Sequence, residues 1–167
     1  VALYFVLARF CSIDIPPQIR ISFGGLPIIL CGLLFGPVDG LLVSIAGAFL
    51  EQLVSPYGLS PTTPLWMIPA IARGAFVGFS AKFLKYKPTK PNLVVITVLS
   101  CLIVTVLNTA ITYIDASLYT YSVEPLFSVV TIFRLVSSIL TATVFCIAIV
   151  PSYEPLKKII KKDYDEK

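Results

Sequence analysis

No histidine occurs among the 167 residues, and that absence removes the commonest general base and metal ligand from any site the chain builds. It excludes a Ser-His pair, an HExxH zinc helix and a cysteine activated by imidazole, and no Walker-type phosphate loop is present either. Charge is scarce as well, with Asp, Glu, Lys and Arg together making up 13% of the chain. The four cysteines, Cys11, Cys31, Cys101 and Cys146, stand apart in apolar surroundings without CxxC spacing. That suits small core residues better than disulfides or metal ligands. With no catalytic constellation in view, an enzyme is not expected.

What fills the chain instead is apolar. A hydrophobic fraction of 57% and a mean hydropathy of +0.91 lie far outside the soluble globular range. They point to an all-α integral membrane protein, a single six-helix bundle of spans of ~20 residues joined by short connections. Apolar runs place the spans at about 1–12, 26–36, 39–54, 64–84, 93–114 and 126–150, with a break at Pro151 opening a charged tail over 151–167. The first run covers only ~18 Å at ~1.5 Å per residue, short of a ~30 Å hydrocarbon core, so it reads as the end of a truncated first helix. Adjacent prolines and glycines in the stretch Ile13–Gly25 predict a long loop. Ser55–Pro64 and Asp115–Pro125 are predicted as loops by composition, with Pro64 suited to a first helical turn.

All nine lysines fall between Lys82 and Lys90 or between Lys157 and Lys167, while the four arginines lie elsewhere. An even number of crossings puts the two lysine clusters on one side, which the positive-inside rule assigns to the cytoplasm. The predicted placement is a multi-pass protein of the cell membrane with both termini cytoplasmic and the first, third and fifth loops outside. The net charge of +4 then needs no nucleic acid to explain it.

The arginines require a different account. Counting ~1.5 Å per residue from the outer end of each span puts Arg73, Arg134 and Asn108 roughly 10 to 14 Å below the outer surface, with Arg20 in the first outer loop. Glu51 and Gln52 end the third span, and Tyr57, Trp66, Tyr113, Tyr119 and Tyr121 lie at similar or shallower levels. A charge at mid-bilayer costs ~2.5 to 3.5 kcal/mol on insertion scales, so these arginines must face partners or a cavity. One reading is structural: Arg73 paired with Glu51, Arg134 snorkelling, Asn108 joining helices, and the aromatics forming an interfacial belt. Against it, Arg20, Arg73 and Arg134 face one deep acid, Glu51, which leaves a positive surplus that an anionic ligand would neutralise. Arginine also suits planar, bidentate capture of carboxylates.

Several segments carry a family resemblance: Arg9-Phe10, Ile19-Arg20-Ile21-Ser22-Phe23-Gly24, Leu26-Pro27-Ile28 and Leu34-Phe35-Gly36-Pro37. The strongest is Tyr57-Gly58-Leu59-Ser60-Pro61-Thr62-Thr63, followed by Trp66 and Arg73-Gly74. Together, from residue 2 to about 80, they resemble the folate-family substrate-binding (S) component of energy-coupling factor (ECF) transporters. The resemblance implies a six-helix vitamin-capture protein with a high-affinity site under the first, third and fifth outer loops. It also implies partners, a membrane T component and two ATPases, and a toppling of the whole S component that carries ligand inward. The family's small-residue docking face on the first helix would include Ala2 and, one turn on, Val6; its first alanine falls before Val1.

Folate fits the charge pattern read from the residues. Its glutamate tail brings two carboxylates, and its pterin offers an aminopyrimidine edge that a carboxylate binds bidentately while an aromatic ring stacks on the face. The expected ligand site is therefore Arg20, Arg73 and Arg134 as the positive field, with Glu51, Gln52 or Asn108 reading the pterin. Tyr57, Trp66 and Tyr113 supply aromatic surface, with Pro61, Thr62 and Thr63 as a semi-rigid lid or, equally, a helix cap. No cofactor is expected. The alternatives are an S component for a different vitamin, since this architecture serves many ligands, and a non-transport membrane scaffold.

Overall fold

The computed structural model describes residues 1–15, 19–54, 59–119 and 124–165, with the backbone alone for 12–15, 19–22, 124–130 and 161–165. Among the described residues it has six helices and one small hairpin: α1 (Ala2–Phe10), β1 (Ser12–Ile15), β2 (Ile19–Ser22), α2 (Gly25–Phe35), α3 (Pro37–Leu53), α4 (Thr63–Phe83), α5 (Lys90–Tyr119) and α6 (Glu124–Asp165). The expected all-α membrane bundle is what the helices build. α5 and the part of α6 from Thr131 to Ile160 are long and apolar enough to cross a bilayer, with mean hydropathies of 2.4 and 2.1. Most of their exposed side chains, among them Val95, Val106, Ile132, Ile139 and Ile147, are apolar. A surface of that kind suits lipid, not water.

Three expectations about connections are corrected. The stretch predicted as a loop over Ile13–Gly25 contains the antiparallel pair β1–β2, whose register sets Asp14 opposite Arg20 and Ser12 opposite Ser22. Prolines and glycines forbade a helix there but not a short extended pair. α5 runs on to Tyr119 through residues read as polar loop, because Asp115, Ser117 and their neighbours are tolerated in a helix once its apolar length is established. α6 continues through Pro151 and Pro155 to Asp165. Each proline forfeits one helical hydrogen bond, but the surrounding turns hold the helix.

The bundle is knit where side chains are smallest. A Cβ on Gly74 of α4 would overlap the carbonyl oxygen of Gly40 on α3 and crowd the Ser44 hydroxyl, and one on Gly40 would sit 2.9 Å from the Gly74 carbonyl. Gly78, one turn on, lies against Pro37, and Gly32 of α2 packs against Gly78 and Val77. Gly74 and Gly78 thus form the small-xxx-small spacing that lets membrane helices approach backbone to backbone. Around them a core of Ile29, Leu33, Val77, Ala81, Ile96, Phe145, Ile149 and Tyr153 joins α2, α4, α5 and α6. A second cluster, Tyr4, Ala8 and Ile28, seats α1 on α2.

One end of the bundle carries the hairpin and the other the lysines. At the lysine end Gly36, at a φ of 101° that only glycine adopts without strain, turns α2 into α3 beside the Tyr86 hydroxyl. Lys85 and Tyr86 also take left-handed φ values, 52° and 55°. The strained Tyr86 carbonyl is held by Tyr153 Oη (3.2 Å) and Lys157 Nζ (2.6 Å) from α6. The α2–α3 turn, the α4–α5 turn and the far part of α6 therefore meet at one residue.

Replacing Gly74 with Val is expected to destabilise the bundle by about 1–3 kcal/mol, since the added atoms meet backbone that has nowhere to move. A lowered thermal midpoint in detergent checks this, with Val106→Leu on the exposed face of α5 as the unaffected control.

Candidate functional site

Some of the predicted polar residues are grouped in two tiers towards the hairpin end, Glu51 with Arg73 and Asn108 with Arg134. The deeper one is centred on Arg73. α4 presents its guanidinium to the start of α2, where a Cβ on Gly25 would overlap it, and the group lies 5.8 Å from the centroid of the Phe145 ring on α6. Phe145 in turn meets Phe23 at the foot of the hairpin, with ring centroids 6.4 Å apart. Tyr4, Glu51 and Cys101 are within electrostatic range of Arg73. Its Nε is buried and has no hydrogen-bond partner among the described residues, which leaves a charged donor short of an acceptor in an apolar bundle.

Glu51, in the last turn of α3, accepts a 2.6 Å hydrogen bond from the Tyr4 hydroxyl of α1. This bond is possible because Gly47, one turn earlier on α3, leaves room for the Tyr4 ring, which a Cβ there would meet at 2.5 Å. Tyr4 and Ala8 point inward, Ala8 against Gly24. Ala2 and Val6, half a turn round, are exposed, so the predicted docking pair lies on the open face of α1.

The second tier joins α5 to α6. Arg134 Nη1 donates to Thr112 Oγ1 at 3.1 Å, and the Thr112 hydroxyl donates to the Asn108 carbonyl at 2.8 Å. Phe145 lies eleven residues beyond Arg134 on α6, and Cys101 eleven residues beyond Thr112 on α5. Both helices therefore give the same separation between tiers, roughly 16 Å along the axis. The expectation that Arg73 and Arg134 share one depth is corrected. Depth was counted from helix ends, but the ends are not level: α5 overruns its predicted limit, and α4 begins inside the fold with Thr62 and Thr63 buried.

Thr62 and Thr63 are bound to their own loop. The Ser60 N–H donates to Thr63 Oγ1 at 2.9 Å, and the Ser60 and Thr62 hydroxyls are 3.0 Å apart. Pro61 is exposed and Trp66 half-buried one turn into α4. Gln52 is half-buried next to Glu51. Tyr113 is 55% exposed, about 100° round the helix from Thr112. Arg9 is exposed in the last turn of α1. Tyr57 and the Arg20 side chain lie outside the described residues. Sequence reasoning missed Tyr4, Thr112 and Phe145; Thr112 stands one turn from Asn108 and was in principle visible, whereas Tyr4 reaches Glu51 across 47 positions and carried no local signal.

Residues 1–158 match the family described as the ECF-type riboflavin transporter, S component. The chain belongs to that family. Membership makes it a substrate-binding membrane subunit and not an enzyme. Among solved structures, this S component is similar to FolT bound with folic acid, with a TM-score of 0.63 and 25% identity over 91% of this chain and 86% of that one. Among curated proteins none matches.

Gly25→Ala is expected to displace the Arg73 guanidinium. The single variants Gly25→Ala and Arg73→Ala should each lower the thermal midpoint, and the double variant should lose less than their sum, with a coupling of about 0.5–3 kcal/mol. Simple additivity would separate the two residues.

Proposed function

We propose that this S component captures folate with high affinity at the outer face of the cell membrane and delivers it inward as the substrate-specific subunit of an ECF-type importer. The observation that carries the reading is the likeness to a folate-bound structure across nine-tenths of the chain, joined to arginines, and no lysine, in the hairpin-end half. The two tiers suit an elongated ligand that is polar at both ends. Glu51, oriented by Tyr4, is placed to accept from the pterin aminopyrimidine edge, with Gln52 and Asn108 as further polar contacts. Arg134, bonded to Thr112, and Arg20 on the hairpin are offered to the glutamate carboxylates, while Arg73 supplies positive potential from below. Tyr57, Trp66 and Tyr113 provide aromatic surface, and the Ser60–Thr63 turn, with Pro61 at its tip, is an ordered edge to the entrance.

The partners in this reading are a membrane T component and two ATPases, engaged through the open face of α1 that carries Ala2 and Val6. Both termini face the cytoplasm, on the side of the lysines. A second reading, riboflavin capture, is favoured by the description of the matching family. Riboflavin has no carboxylate to offer the arginines, and this is what separates the two.

Trp66 is the single tryptophan, so its fluorescence reports binding directly. Titration of the purified protein is expected to give tight saturation with folate and at least tenfold weaker binding of riboflavin; the reverse order would establish the second reading. Arg134→Ala should weaken folate at least tenfold, about 1.4 kcal/mol, with a smaller effect on thermal stability than Arg73→Ala. Unchanged folate binding would confine Arg134 to joining α5 and α6.

A further inference from the structure

Away from the arginines, α4 and α5 flank an open groove of about 880 Å³ near the lysine end. Phe76, Phe79 and Phe83 line it from α4, and Val95 and Leu99 from α5. Phe83 is 88% exposed and Phe79 58%, so the rings stand along the sides of the groove and do not close it. Two polar side chains at its rim, Lys82 and Asn92, are the donors on offer; the Ser80 hydroxyl is already engaged by the Phe76 carbonyl at 2.7 Å. A groove with apolar walls on a membrane protein fills with acyl chains, and the rim decides whether one lipid class is preferred.

The rim is strongly biased in charge. Lys82, Lys85, Lys87 and Lys90 all lie exposed within nine positions, and no acidic residue occurs anywhere from Arg73 to Ile114, which covers the turn and most of both walls. The amino-terminal end of α5, beside Asn92, adds the positive end of a helix dipole. The turn is also fixed in place, since the Tyr86 carbonyl is held from α6 by Tyr153 and Lys157. Basic pockets between membrane helices attract anionic headgroups.

We propose that this groove is a binding site for one anionic phospholipid of the leaflet that meets the lysine-bearing turn. Its acyl chains lie along the three phenylalanines and Val95, and its phosphate is held by Lys82 and Asn92. The site is independent of which vitamin the protein carries. It makes the α4–α5 face selective for lipid charge, not simply wetted by whatever lipid is present.

Native mass spectrometry of the purified protein with dioleoyl phosphatidylglycerol or dioleoyl phosphatidylcholine tests this. The protein is expected to retain one phosphatidylglycerol at about tenfold lower lipid concentration than phosphatidylcholine. Lys82→Gln should cut that preference to about twofold or less, and Lys158→Gln, in the tail, should leave it intact. Val95→Trp, which fills the groove from an exposed position without altering charge, should weaken retention of both lipids. Equal retention of the two lipids by the unaltered protein overturns the proposal, as does an unchanged preference in Lys82→Gln. An equal loss in Lys158→Gln would replace the site with a diffuse basic field, and full retention by Val95→Trp would show that the groove holds no acyl chain.

Discussion

Contact between backbones at Gly32, Gly40, Gly74 and Gly78 is the constraint on which the rest of this molecule depends. In a bilayer, helices gain little from hiding apolar side chains from one another, because lipid tails are equally apolar; close van der Waals fit must do what water expulsion does elsewhere. The glycines supply that fit for α2, α3 and α4. Two further glycines extend the same logic to the functional side chains, Gly25 making room for the Arg73 guanidinium and Gly47 for the Tyr4 ring. The fold and the polar cluster are thus built by one device, the removal of a Cβ where something must come close.

Because the helices are held this tightly, charged groups are admitted on strict terms. Arg73 lies by the Phe145 ring and within electrostatic range of Glu51, and Glu51 is held by Tyr4 from a third helix. Arg134 meets a threonine hydroxyl on the neighbouring helix. Each guanidinium is thus met from other helices, Arg73 by an aromatic face and a nearby carboxylate, Arg134 by a hydroxyl. Charges placed this deep are costly unless other groups meet them.

Much of this could be read from the chain. The apolar runs and the proline and glycine punctuation gave the helices, and the segregation of lysines from arginines gave two ends with different chemistry. The residues Ile19–Gly24 and Tyr57–Thr63 pointed to the family before any coordinates did. What stayed hidden depends on three dimensions. Tyr4 reaches Glu51 only because α1 lies beside α3, and the two arginines separate into tiers only because helix ends are staggered. Pro151 was read by a local rule that neighbouring structure overrides. The lipid-facing groove gave no signal either, since Phe76, Phe79 and Phe83 on α4 look like any apolar stripe until α5 stands next to them.

α6 is 42 residues long, on the order of 63 Å at ~1.5 Å per residue and about twice the thickness of a hydrocarbon core. Its far portion is fastened to the α4–α5 turn at Tyr86 by Tyr153 and Lys157. α4 is the helix that carries Arg73, and α6 is the helix that carries Arg134. Through α6 and the Tyr86 carbonyl, the tail is connected to the helices that carry both halves of the polar cluster. In mechanical terms the charged tail is the handle of a lever whose short arm ends among the arginines.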